Sequence, residues 1–170
     1  MIMRKIFILF AVVVLYGCSS ESEKLTKQGD LLLAKGKPKA ALKVFLKIAS
    51  IKSNTAIMLR ISNSYERLGK FQKAASIIEE ITPKDDAQDA KLLYKRGRLA
   101  EKNGNIPKAV SIYRLILNKY PNHPKTSMRM VHYLYYKKKV REAQKLLKKI
   151  LNFKNLPQRI QREAKRLYKE

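Results

Sequence analysis

Four alanines at spacings of 33, 35 and 34 residues, Ala41, Ala74, Ala109 and Ala143, constrain this chain more than any other feature. Other residue types keep the same register. Five residues before each alanine stand Gly36, Gly69, Gly104 and Lys138; four after stand Phe45, Ile78, Tyr113 and Leu147; seven after stand Ile48, Ile81, Ile116 and Ile150. A fixed period of this length marks tandem copies of one supersecondary unit. One copy cannot bury its apolar face alone, so neighbours must stack and the last must be capped.

Each copy reads as two helices. In "SNSYERLGKFQKAASIIEEI" the first helix closes at Gly69, where a residue without Cβ takes the left-handed cap, and the second starts near Phe71. Apolar residues then recur at three and four spacing through Ala74, Ile78 and Ile81. In the third copy Gly104 closes one helix, Pro107 opens the next and Pro121 follows its end. No stretch alternates with period two, so no strands are expected.

This pattern resembles the tetratricopeptide repeat, a helix-turn-helix unit. By resemblance, Gly29, Ser62, Gly97 and Val131 hold the small eighth site, Leu32, Tyr65, Ala100 and Leu134 the eleventh, and the four alanines the small twentieth. The fourth copy departs at both glycine sites, with Val131 and Lys138. The implied fold is an all-α, TPR-like α-solenoid of about four repeats (22–54, 55–89, 90–123, 124–157) with a capping helix over 158–170.

The resemblance also implies a concave groove lined by fixed positions of each first helix. Carried onto this chain, these are Leu59, Asn63 and Arg67 in copy two, Lys91, Tyr94 and Arg98 in copy three, and Lys125, Met128, His132, Tyr135 and Tyr136 in copy four. Tyrosine and arginine are enriched at interface hot spots, and such a groove would take an extended segment or helix of acidic character. Tyr135 and Tyr136 could instead pack under the capping helix. Asn63, Lys125 and Arg129 fall on positions resembling a carboxylate clamp, with Leu59 and Lys95 replacing two others.

Charge is spread unevenly. The net formal charge of +25 divides into +2 over residues 1–18, +4 over 19–90 (13 basic, 9 acidic) and +19 over 91–170 (23 basic, 4 acidic). Such a field attracts polyanions and weakens with salt. Anionic lipid, polysaccharide, wall polymer or an acidic protein would suit it; an equal alternative is that the lysines only solvate helix faces. Nothing beyond raw basicity resembles a nucleic-acid-reading motif.

The N-terminus holds the lone cysteine. Arg4 and Lys5 precede an eleven-residue apolar run, Ile6 to Tyr16. That is short of the roughly 20 residues a spanning helix needs, and fits the hydrophobic region of a signal peptide. Leu15-Tyr16-Gly17-Cys18 resembles the lipobox of bacterial lipoproteins, although Tyr16 stands where a smaller residue is usual. The resemblance implies a signal peptide over 1–17, an acylated (palmitate-type) Cys18 and a short tether over 18–21. Ser19 is not the aspartate that resembles an inner-membrane retention signal, which favours the periplasmic face of an outer membrane. An ordinary cleaved signal or an uncleaved anchor would also fit the run.

Catalysis and cofactors find no foothold. His123 and His132 lack metal-ligand spacing, and no phosphate loop or nucleophile elbow is visible. His123, in "YPNHP", reads as an exposed loop residue. The expected function is a membrane-anchored envelope scaffold that binds a protein partner in a pilus, secretion or outer-membrane machine. The alternative is a polyanion-binding envelope protein that uses the basic C-terminal half.

Overall fold

The computed structural model describes residues 21–51 and 54–169. The expected signal peptide, Cys18 and most of the tether lie outside them. The described residues form nine helices and no strand: α1 over 21–34, α2 Pro38–Ile51, α3 Thr55–Arg67, α4 Phe71–Glu79, α5 Asp86–Lys102, α6 Ile106–Lys119, α7 Pro124–Tyr136, α8 Val140–Leu151 and α9 Gln158–Lys169. They fall into two compact units divided between Ile81 and Thr82. The first holds α1–α4 and the second α5–α9.

One backbone device closes the first helix of every copy. The amides of Lys37, Lys70, Asn105 and Lys139 each donate at 2.9 Å to the carbonyls of Leu32, Tyr65, Ala100 and Leu134, the four eleventh-site residues. One residue earlier the chain turns left-handed, at Gly36, Gly69, Gly104 and, in the fourth copy, Lys138 at φ 58°. This is a Schellman cap, which satisfies carbonyls that the helix itself leaves open. The fourth copy thus makes the same turn with a residue that resists it.

Helix starts are equally local. Asn54 and Asn105 accept from the amides of Ile57 and Lys108, both at 3.0 Å. Asp85 accepts from Gln88 at 2.7 Å, so α5 opens at Asp86, one turn ahead of the repeat boundary expected at residue 90. His123 caps α7 through Nδ1, 3.3 Å from the Thr126 amide and 2.7 Å from its hydroxyl oxygen. It is half-buried against Tyr94 (ring centroids 5.7 Å apart), in place of the exposed loop residue read from the sequence.

All four register alanines are buried. Around Ala41 pack Phe45, Ile48, Ile57 and Ile61; around Ala109, Tyr113, Ile116 and Met130; around Ala143, Met128, Val131, Leu147 and Ile150, closed by Ile160 and Ala164 of α9. The eighth site explains the size pattern. A Cβ on Gly29 would fall 2.6 Å from Cζ of Phe45, and one on Gly97 would fall 2.9 Å from Cδ1 of Tyr113. Copies with glycine here carry a ring sixteen residues later; copies with Ser62 and Val131 carry the smaller Ile78 and Leu147. Bulk removed from one helix is restored on its partner, which keeps packing close. Ser62 also donates its hydroxyl to the Ala74 carbonyl at 2.9 Å, so its burial leaves no orphan.

Candidate protein-binding cleft

The second unit carries a cleft of about 280 Å³ between α5, α7 and α9. Lys125, Met128, Arg129 and His132 line it from α7, where three- and four-residue spacing puts them on one helix face. Tyr94 of α5 forms one wall; Arg159, Ile160 and Glu163 of α9 form the other. Tyr94 is braced from behind by Tyr113, with ring centroids 6.3 Å apart.

Beside the cleft, one carboxylate gathers the neighbouring cations. Glu101 accepts from the Tyr113 hydroxyl at 2.8 Å, Arg98 at 2.9 Å and Arg129 at 3.3 Å. Burial works against its charge, but Tyr113, Arg129 and Arg98 outweigh it and hold the carboxyl below its ordinary range. A lowered folded pKa means the unfolded chain binds the proton more readily. The contribution is therefore full above the ordinary value of 4.5 and is lost as pH falls through the folded one. Glu101→Gln is expected to cost about 1–2 kcal/mol at pH 7. Urea titrations should show that deficit shrinking below pH 4.5.

His132 lies 2.8 Å from Glu163 across the cleft. Lys125 and Arg159 are exposed and have no carboxylate partner among the described residues. With Glu101 absorbing Arg98 and Arg129, these two cations set the sign of the cleft. A carboxylate-bearing segment lying against Tyr94, over the floor made by the buried Met128 and Ile160, could meet both.

Of the expected groove residues, the structure brings together Tyr94, Lys125, Met128 and His132. Lys91 is exposed on α5 and does not line the cleft, and Arg98 is held by Glu101. Tyr135 belongs to the capping contact: its hydroxyl donates to the Leu167 carbonyl at 3.0 Å and accepts from Gln144 at 3.0 Å. Tyr136 is 75% exposed and does not line the cleft. Leu59, Asn63 and Arg67 lie on α3 in the first unit, where Arg67 donates to the Leu33 carbonyl at 2.7 Å. Arg159, Ile160 and Glu163 fall outside the expected set because the repeat frame assigns groove positions only to first helices. Their signal is the continued register: α9 begins 34 residues after α7, where another first helix would start.

Among the described residues no group of three or more His, Cys, Asp or Glu is arranged to hold a metal, and no helix is long and apolar enough to cross a membrane.

Residues 59–124 match the tetratricopeptide repeat family model. No curated protein matches the chain. Among solved structures, a tetratricopeptide repeat protein from Parabacteroides merdae is similar at 19% identity and a TM-score of 0.67, over 88% of this chain and 59% of that one. MamA from Desulfovibrio magneticus (residues 41 to the end) is similar at 12% identity and 0.61, over 87% and 91%. The C-terminal part of a TPR repeat-containing protein from Cytophaga hutchinsonii is similar at 20% identity and 0.60, over 85% and 58%. These identities bear on fold alone, and the fold is one whose stacked hairpins typically offer binding surfaces for other proteins. Residues 59–124 therefore match the tetratricopeptide repeat, and the chain shares the fold of solved proteins built from it.

Proposed function

We propose that this protein is a lipid-anchored adaptor of the bacterial envelope whose α5–α7–α9 cleft takes an acidic segment of a protein partner. The observation that carries the cleft reading is charge beside an aromatic wall: Lys125 and Arg159, with no carboxylate partner among the described residues, flank half-buried Tyr94 over a floor made by the buried Met128 and Ile160. Anchoring rests on Leu15-Tyr16-Gly17-Cys18 and the apolar run before it. One acyl chain holds a protein only marginally, and several hold it stably. The periplasmic face of an outer membrane and a place in a pilus, secretion or outer-membrane machine extend the same reading. Polyanion binding through the basic C-terminal half is the competing one.

The test is recovery of the acylated protein from envelopes with whatever stays bound at moderate salt. A partner retained by the parent chain and lost from Lys125→Glu/Arg159→Glu, but kept by Lys73→Glu on α4, supports the cleft. Retention that collapses with salt yet survives Tyr94→Ala supports a polyanion instead. Separately, Cys18→Ser is expected to move the protein out of the membrane pellet or leave it uncleaved. An unchanged pellet fraction with no lipid on the chain would remove the anchor.

A further inference from the structure

The α7–α8 turn, Tyr136-Lys137-Lys138-Lys139-Val140-Arg141, is built unlike the other three hairpin turns. Those place glycine at the left-handed position; this one forces a lysine there, at φ 58°. The fold gains nothing from it, since glycine makes the identical cap three times. Backbone held in a disfavoured region at no structural gain points to function. What the lysine adds is charge: four cations face one acid, Glu142, already paired with Lys139 at 2.9 Å.

The same turn exposes apolar surface. Tyr136 is 75% exposed, the highest value among the large hydrophobic side chains of the described residues, and Val140 is 50% exposed. Lys137 Nζ lies 5.5 Å from the Tyr136 ring centroid. Beyond the turn, Arg141, Lys145, Lys148 and Lys149 continue along the exposed face of α8, while Ala143, Leu147 and Ile150 face the core.

We infer that this turn, with the outer face of α8, docks the second unit on an anionic phospholipid surface. Lysines near such a leaflet each strengthen binding on the order of fivefold, and their aliphatic stems let the ammonium groups stay at the headgroups. The tyrosine decides between partners. Its amphipathic ring is stabilised at a membrane–water interface, whereas a soluble polyanion gives Tyr136 and Val140 nothing apolar to enter. The inference depends neither on Cys18 nor on the cleft, since no residue it uses lines that cleft.

The chain contains no tryptophan, so Tyr136→Trp installs a single indole reporter at an exposed position. The experiment uses residues 19–170, which contain every buried core residue among the described ones, with helicity checked by circular dichroism. Vesicles of equal parts phosphatidylglycerol and phosphatidylcholine should bind the protein, shift the indole emission to the blue and allow quenching by brominated lipid; pure phosphatidylcholine should do none of these. Lys137→Gln/Lys138→Gly/Arg141→Gln should weaken binding on the order of 100-fold. The glycine keeps the cap, so helicity should not change. The inference is overturned by an unshifted emission at saturating lipid, by equal binding of the triple variant, or by binding to heparin or RNA without binding to vesicles.

Discussion

Valine in place of Gly97 is expected to destabilise the second unit by about 3 kcal/mol, at the upper end of what overpacking costs. The rigid ring of Tyr113 already occupies the space a Cβ would need, and its hydroxyl is tied to Glu101. Gly97→Ala supplies the sign. Glycine inside a helix is unfavourable by roughly 0.5–1 kcal/mol relative to alanine, so at an open site the alanine would stabilise. Here urea unfolding should show a loss. In a Tyr113→Val background, which deletes the ring, Gly97→Ala should become neutral or favourable. A non-additive cycle of that sign is what direct contact requires.

Leu147→Ala is expected to cost about 3–5 kcal/mol. Leu147 is fully buried among Met128, Val131, Ala143, Ile150, Ile160 and Ala164, so both α7 and α9 lose a contact. Hydrogen exchange should rise first in α9, which rests on this cluster through Ile160, Ala164 and Leu167. Leu115→Ala, which truncates an exposed residue of α6, should change stability by less than about 0.5 kcal/mol.

The repeats are legible in the sequence because their determinants are local or periodic. Small residues, left-handed caps and apolar faces recur at fixed spacing, and each has a packing or backbone reason. The fourth copy is the weakest match for lack of glycine at two sites, yet it folds like the others. Val131 is matched by a smaller residue across the hairpin, Leu147, and Lys138 accepts the left-handed turn. Pairwise compensation of that kind is invisible when each site is compared only with its counterparts in other copies.

The cleft is legible in part. Tyr94, Lys125, Met128 and His132 follow from position within α5 and α7. What a linear pattern does not supply is the state of each side chain once its neighbours arrive. Arg98 and Arg129 are held by Glu101, and Tyr135 is taken up by the capping helix. The second wall comes from α9, whose Glu163 pairs with His132 of α7 across 31 residues of sequence. Long-range pairing among many similar charges carries no signature along the chain. His123 differs from its sequence reading for a mixed reason: its capping bond to Thr126 is local, but its burial depends on Tyr94.

Partner contact at the cleft is tested most directly by a photo-crosslinking residue placed at His132, exposed on the cleft, in the full chain in cells. The expected product is an adduct to one protein through an acidic stretch, reduced by Lys125→Glu/Arg159→Glu and absent when the crosslinker replaces exposed Leu115 on α6. Adducts to lipid or polysaccharide alone, or equal yields from both positions, would contradict it.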